Sequence, residues 1–543
     1  MNPLFSRPTS FRSAHPLGLI AALLSGGAVS AQEATRQPET VRPPLSAVEW
    51  LDRDSALPAA IPAPAPAPQR PPAATGTEPA VAQSGATPEV DVRPLDAPSV
   101  SAVGLLPPHV TGFPLTLWRG SDPVRQAELL TETDTDGMPA LQALLFSLLL
   151  AEADPPATAQ GEALLVARLD RLIAQGATAP ALALVEQVGH ESPALFRRWF
   201  DLMLLTGETD RACAALADMP QMLEDIDARV YCLTLTGQWD AAVTTLEAAR
   251  LLGDLDTREA ELLTLFIDPE LAEEMAPPRI PEAGMTPLTY RMLQALGDPP
   301  PINRLPRAFA ALALTGDVGW RAQIEAAERL ARAGAVPANQ LIGIYSERDP
   351  AASGGIWDRV DAVQRLDTAL AAGDVAAVST ALPSVWAQAR AAGLAVPFAT
   401  LFAERLATLP LEGRAAAIAR DFLFLSPLYE TAGAAFGGSG ASAAQRFMAG
   451  LATGAPEASA APEARAAAIA SAFAPQEPPA ELREMVRGDR LGEAILLAMR
   501  DTLRGAEGDQ VALTRGLSRL RALGLEDTAR RAALQMMILG QAS

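Results

Sequence analysis

The feature that most constrains the fold is the spacing of helix formers and turn residues from about residue 105 onward. Alanine, leucine, arginine and glutamate dominate there, and turns containing glycine or proline interrupt them at short intervals. The alternation of β-branched or aromatic residues with polar ones that marks strands is nearly absent. The sequence therefore predicts an all-α fold. Roughly 440 residues exceed one compact helical bundle, so we expect several bundles or an extended helical array.

Internal similarity favours the array. Three segments each carry a glycine followed five positions later by an alanine, at spacings of 31 and 30 residues. They are 172–189 with Gly176 and Ala181, 203–220 with Gly207 and Ala212, and 233–250 with Gly237 and Ala242. Glycine ends a helix because it adopts positive φ without strain, and a small residue lets the next helix cross closely. The pattern predicts stacked helical hairpins.

This glycine–alanine separation resembles the turn between the two helices of a tetratricopeptide repeat. The resemblance implies an α-solenoid that binds proteins through its concave surface. Weaker copies of the pattern occur at 312–334, 369–393 and 485–509. The family's period of about 34 residues is not kept, and its Trp, Tyr and terminal Pro pattern is missing.

Composition divides the chain into seven predicted segments. They are a signal peptide (1–31), a disordered Pro/Ala-rich linker (32–104), an N-terminal helical repeat region (105–275), a proline-rich connection (276–306), a second helical region (307–436), a loose Ala/Gly/Pro-rich segment with a short helix (437–480) and C-terminal helical hairpins (481–543). Arg7 and Arg12 precede an apolar run that ends in small residues, which is typical of a Sec-type signal. We therefore expect a periplasmic or secreted protein.

The linker contains one apolar cluster, at residues 45–57, in which Trp50 and Leu51 share a face if the segment is helical. Two interpretations remain open. The cluster is either a docking peptide that folds on a partner or a chance grouping within a tether.

Charge and composition exclude several function classes. The chain has 64 acidic and 43 basic residues, a net charge of −21, so it should repel nucleic acid and anionic lipid. It contains no lysine, which excludes a Walker A loop and a Schiff-base lysine. The longest apolar stretch after the signal, 140–153, is shorter than the ~20 residues that span a bilayer.

The two cysteines, Cys213 and Cys232, predict a disulfide, because an isolated pair in an oxidising compartment is more often bridged than metal-bound. In the hairpin register they lie in neighbouring repeats. Neither His109 nor His190 has a metal-ligand spacing, so we expect no metal and no cofactor.

Residues 345–359, "YSERDPAASGGIWDR", form a joint between predicted helices in which aromatic and charged residues are concentrated. The candidate residues are Tyr345, Arg348, Asp349, Trp357, Asp358 and Arg359. One interpretation is a buried polar cluster in which Glu347, Asp349 and Asp358 pair with the arginines and the aromatic residues anchor the loop. The second is a protein or peptide contact surface, since aromatic residues with arginine are typical interface anchors.

Glu191 and Ser192 match the catalytic dipeptide of soluble lytic transglycosylases, which also contain an α-superhelix. That family's other catalytic-domain motifs are absent, and Ser192 followed by Pro193 is typical of a helix N-cap. The sequence thus favours a non-catalytic scaffold or adaptor of a cell-envelope machine, with a protein partner. The alternative is a cell-wall glycan-acting enzyme or accessory factor.

Overall fold

A computed structural model describes residues 102–156, 161–315, 318–438 and 440–540. The chain divides into two units, Met1–Asp91 and Val92–Ser543, and all described residues belong to the second. The predicted signal peptide, most of the predicted linker, and Trp50 and Leu51 of the candidate docking peptide lie outside the described residues.

The described residues form 26 α-helices and no strand beyond isolated bridges. The helices are α1 (Pro108–Thr111), α2 (Pro123–Glu132), α3 (Pro139–Leu150), α4 (Gly161–Ala174), α5 (Thr178–Val188), α6 (Pro193–Thr206), α7 (Thr209–Asp218), α8 (Ile226–Leu235), α9 (Trp239–Leu252), α10 (Thr257–Ile267), α11 (Pro269–Glu274), α12 (Pro287–Ala295), α13 (Ala310–Ala313), α14 (Trp320–Arg332), α15 (Ala338–Tyr345), α16 (Ile356–Ala372), α17 (Val375–Ala391), α18 (Ala395–Ala407), α19 (Gly413–Leu425), α20 (Tyr429–Phe436), α21 (Ala443–Thr453), α22 (Ala464–Phe473), α23 (Ala480–Arg487), α24 (Leu491–Ala506), α25 (Gln510–Ala522) and α26 (Glu526–Leu539). None of them is long and apolar enough to cross a membrane.

The helices pack as a series of neighbouring pairs. This confirms the predicted all-α helical array, which is α-solenoid-like. Of the segments bounded from composition, 276–306 contains α12, and 437–480 contains both α21 and α22. Both helices of the second segment form because Phe447, Leu451, Ile469 and Phe473 are buried.

The three repeat turns share one hydrogen-bond pattern. Gly176, Gly207 and Gly237 have φ values of +79°, +90° and +76°. The N–H after each glycine donates to the carbonyl five residues earlier, which ends the helix and satisfies that carbonyl: Ala177 to Leu172, Glu208 to Met203 and Gln238 to Leu233. The alanines five positions on, Ala181, Ala212 and Ala242, are fully buried where helices cross.

The first helices of the array pack against its last ones. Helix α3 lies on α26, where the Ala140 N–H donates to Gln535 Oε1 over 2.9 Å. The Gly492 N–H donates to the Leu117 carbonyl over 2.9 Å, and the Trp118 ring lies so close to Gly492 that a Cβ there would be 2.1 Å from it. One hydrophobic cluster consequently runs from the first helices to the last.

Candidate functional site

The predicted disulfide joins two consecutive hairpins of the array. Cys213 lies in α7 and Cys232 in α8, with their Cα atoms 5.1 Å apart and both side chains buried. Closing the loop between the two cysteines lowers the conformational entropy of the unfolded chain and so stabilises the folded protein by roughly 3 kcal/mol. The bridge ties the α6–α7 hairpin to the α8–α9 hairpin.

Among the described residues, helix α9 is covered along one narrow stripe. It packs mainly against α8 and α10, and its buried side chains are Ala242, Leu246 and Ala249. These three occupy one stripe at helical spacing, while the remaining positions are exposed or half-buried. A helix that buries so little apolar area leaves most of its surface available for a further contact.

Large exposed hydrophobic side chains are concentrated on the α8–α9 hairpin. Eleven occur in the described part of the chain, and five of them belong to α8 and α9: Leu235, Trp239, Val243, Leu251 and Leu252. We call these five residues the α9 surface. Leu251 and Leu252 are the two most exposed of all eleven, at 88% and 76%. Scattered single exposed residues are ordinary, whereas a concentration of this kind marks interaction sites.

The segment that contains most of the α9 surface is strongly acidic. Between Asp240 and Glu274 there are ten acidic residues and two arginines, a net charge of −8. All ten acidic side chains are exposed. One of the arginines, Arg250, is tied down, since it donates to Thr264 Oγ1 over 2.6 Å and pairs with Glu247. The exposed apolar side chains of α9 therefore lie in a strongly negative part of the chain.

The joint at 345–359 contains a buried polar cluster built around Glu328 of α14. The Tyr345 hydroxyl donates to Glu328 Oε1 over 2.6 Å. Arg359 makes a bidentate pair with both Glu328 oxygens, each over 2.7 Å. The side chains of Glu328 and Arg359 are 5% and 13% exposed. Burial and the neighbouring Glu328 charge raise the pKa of Tyr345 well above its ordinary value, so the hydroxyl stays protonated and donates.

The other candidate residues of this joint have separate positions. Trp357 packs against Trp320 with ring centroids 5.2 Å apart, and Asp358 accepts a hydrogen bond from the Gly354 N–H. Arg348 and Asp349 are exposed. The structure thus brings Tyr345 and Arg359 together but pairs Arg359 with Glu328, rather than with Glu347, Asp349 or Asp358.

Sequence reasoning missed Glu328 because it comes 31 residues before its arginine partner. A signal exists: Glu328 stands on the apolar face of α14, between Ala327 and Leu330 and four residues after Ile324. A carboxylate on a buried stripe requires a cationic or hydrogen-bonding partner. The sequence does not show which residue supplies it.

A groove of about 990 Å³ between α16 and α17 is lined by four acidic residues. Three of the four have a structural partner within the described chain. Asp361 pairs with Arg365, Asp367 pairs with Arg405, and Asp374 caps α17 by accepting from the Ala376 and Ala377 N–H groups. These contacts assign those three carboxylates to holding the helices in place, while the fourth, Asp349, is exposed at the edge of the groove.

A second cavity, of about 910 Å³, lies between α22 and α25 and contains three arginines. Arg515 and Arg519 both pair with Asp501, and Arg521 pairs with Glu526. Their charges are therefore largely neutralised by carboxylates of the same chain.

Three carboxylates have raised pKa values. Burial raises the pKa of Asp201 on α6 to about 6. The positive charge of Arg197, whose Nε lies 3.5 Å from Asp201 Oδ2, lowers this pKa but does not offset the effect of burial. Burial also raises the pKa of Asp421 to about 6. Asp227, whose charge acts on Asp201, has a pKa raised by burial too.

The candidate dipeptide Glu191–Ser192 has a capping role. The Ser192 hydroxyl accepts the Leu195 N–H over 3.3 Å and donates to Glu162 Oε1 over 2.6 Å, and Pro193 begins α6. Among the described residues, no group of three or more His, Cys, Asp or Glu side chains is arranged to hold a metal ion.

Comparison with known proteins adds no relative. No protein-family model matches the chain, and no curated protein or solved structure is significantly similar to it. The interpretation of the site therefore depends on its geometry and chemistry.

Proposed function

We propose that this protein is a non-catalytic, periplasmic interaction scaffold that belongs to a cell-envelope machine and binds a protein partner through the α9 surface. The observation that carries the proposal is the concentration of exposed Leu235, Trp239, Val243, Leu251 and Leu252 on one disulfide-tied hairpin. Such side chains gain about 25 cal/mol per Å² when a partner removes them from water. The disulfide supports an oxidising compartment.

The rigidity of the support strengthens this proposal. The hairpin is held by the Cys213–Cys232 bridge on one side and by Arg250, which donates to Thr264 and to the Ala260 carbonyl of α10, on the other. A surface that is already ordered loses little conformational entropy on binding.

The test is capture of partners from envelope extract by the exported protein and by a variant with Leu251→Ser and Leu252→Ser. We expect a stoichiometric protein partner on the wild type and its loss on the variant. The matched control is Val511→Ser, because Val511 is 74% exposed but lies on α25, away from the hairpin in sequence. The proposal is wrong if both variants retain the same partners or if only glycan fragments are captured.

A second candidate, an enzyme or accessory factor acting on cell-wall glycan, is favoured by Asp201. A carboxyl with a pKa of about 6 suits general acid catalysis near neutral pH, and Asp227 supplies a second carboxyl near it. Release of soluble fragments from purified peptidoglycan by the wild type, and its loss in Asp201→Asn, would support this candidate.

A further inference from the structure

We propose that the partner segment bound by the α9 surface is a cationic amphipathic helix, a statement that rests on the proposed function. Two independent properties of the hairpin lead to it. One is the spacing of its exposed apolar residues, and the other is the sign and number of the charges around them.

The apolar residues lie at both ends of α9. Trp239 begins the helix and Leu251 lies twelve residues later, which places them roughly 18 Å apart along the axis. Val243 lies one turn after Trp239 on nearly the same side, Leu251 lies about 120° around the axis from Trp239, and Leu252 lies about 100° further around it. A partner helix of about three to four turns that crosses α9 obliquely reaches Trp239, Val243 and Leu251 and presents an apolar residue to each end.

The charges decide which kind of helix fits. Asp240 lies on α9 itself, Asp254 directly follows its C-terminal turn and Glu261 lies on the adjacent α10. All three are exposed, and within the described part of the chain none of their side chains makes a hydrogen bond or an ion pair. Free carboxylates interspersed with exposed apolar residues favour a partner with arginine or lysine beside its apolar residues.

The same charges disfavour other occupants. A second copy placed with its α9 surface against this one would bring together two copies of the segment 240–274, each with a net charge of −8. Anionic lipid headgroups and nucleic acid carry the same sign and would be repelled. A neutral apolar helix would bury the leucines but leave the carboxylates unpaired at the rim of the contact.

The experiment uses fluorescein-labelled peptides of about 18 residues, long enough to form a helix, with leucines on one face. The other face carries arginine in the first peptide, glutamine in the second and glutamate in the third. Fluorescence anisotropy measures their affinity for the full chain at low and at physiological salt. We expect the arginine peptide to bind at least about tenfold more tightly than the glutamine peptide, with affinity that falls as salt rises.

Two variants separate this surface from the overall negative charge of the protein. The surface variant has Asp240→Asn, Asp254→Asn and Glu261→Gln. The control variant has Glu404→Gln, Glu457→Gln and Glu477→Gln, which remove the same charge at exposed positions outside the hairpin. We expect affinity for the arginine peptide to fall about fivefold or more in the surface variant and to stay within about twofold in the control.

The outcomes separate this inference from the proposed function. If the arginine and glutamine peptides bind equally and both require Leu251 and Leu252, the surface binds partners but the cationic preference is wrong. If both charge variants weaken binding equally, or if Leu251→Ser with Leu252→Ser leaves arginine-peptide binding unchanged, net charge alone drives binding and the inference is overturned. Loss of the captured envelope protein in the leucine variant would still support the scaffold in that case.

Discussion

Tyr345 and Arg359, which stand at the two ends of the joint between α15 and α16, are held together by the same carboxylate, Glu328 of α14. The Tyr345 hydroxyl and the Arg359 guanidinium both donate to Glu328 Oε1, over 2.6 and 2.7 Å. A single buried acid therefore connects three consecutive helices. The intervening residues 346–355 are largely exposed, and Gln364 of α16 holds them by donating to the Arg348 carbonyl over 2.8 Å.

We predict that Glu328→Gln lowers the free energy of unfolding by about 3 kcal/mol, because it leaves the largely buried Arg359 without its counter-charge. Urea denaturation followed by far-UV circular dichroism measures the change. The matched control is Glu325→Gln on the same helix, whose exposed pair with Arg321 should cost no more than about 0.5 kcal/mol. Equal effects of the two substitutions would contradict the role given to Glu328.

Gly492 should be intolerant of any side chain. A Cβ at this position would lie 2.1 Å from the Trp118 ring, so Gly492→Ala must displace the contact between the first and last helices and should cost about 2 kcal/mol. Gly343 is the control, because it is also helical but a Cβ there meets nothing within 4 Å. Gly343→Ala should stabilise the protein by about 0.5 kcal/mol or more. Thermal unfolding of both variants tests the pair, and a neutral Gly492→Ala would show that the closure is not tight.

Loss of the disulfide should destabilise the protein without unfolding the array. The double substitution Cys213→Ala and Cys232→Ala removes a loop constraint of roughly 3 kcal/mol, while the core around α7 and α8 remains. Hydrogen exchange should report faster opening of α7 to α9 than of α24 to α26. Uniform acceleration across both regions would mean that the bridge stabilises the whole array rather than its own hairpins.

Asp201 makes stability depend on pH between about 4 and 6. Its pKa is raised from 3.8 to about 6 in the folded protein, so the folded state binds the proton more tightly than the unfolded state. Burial of the charged carboxylate is therefore unfavourable above pH 6, and this penalty disappears as the pH falls below 4. Asp201→Asn should raise the free energy of unfolding at pH 7 by roughly 1 to 2 kcal/mol and leave it unchanged at pH 4.

Arg197 does not complicate this comparison, since it keeps contact with Asp225 after the substitution. Denaturation curves of wild type and Asp201→Asn at pH 4, 5.5 and 7 provide the measurement. A stability difference that does not change with pH would show that the Asp201 carboxyl ionises normally.

The hairpin geometry could be predicted from the sequence because it is local. Gly176, Gly207 and Gly237 end their helices through a backbone conformation that glycine adopts without strain, and the hydrogen bonds that result span only five residues. The disulfide was predictable for a similar reason. Its two cysteines are the only pair in the chain, and they lie in adjacent hairpins.

Three features were decided only by the tertiary structure. Gly492 contacts Trp118, although the two residues are far apart in sequence, and Arg359 pairs with Glu328 rather than with the three nearer acids. The described residues bury only one stripe of α9, although its sequence is as apolar as that of its neighbours. Each feature depends on which distant helices come into contact. Those contacts result from the sum of many weak packing interactions, and no single one of them can be recognised from the local spacing of residues. The sequence by itself determined the helices, their turns and the bridge, whereas the closure of the array and the exposed surface follow from packing.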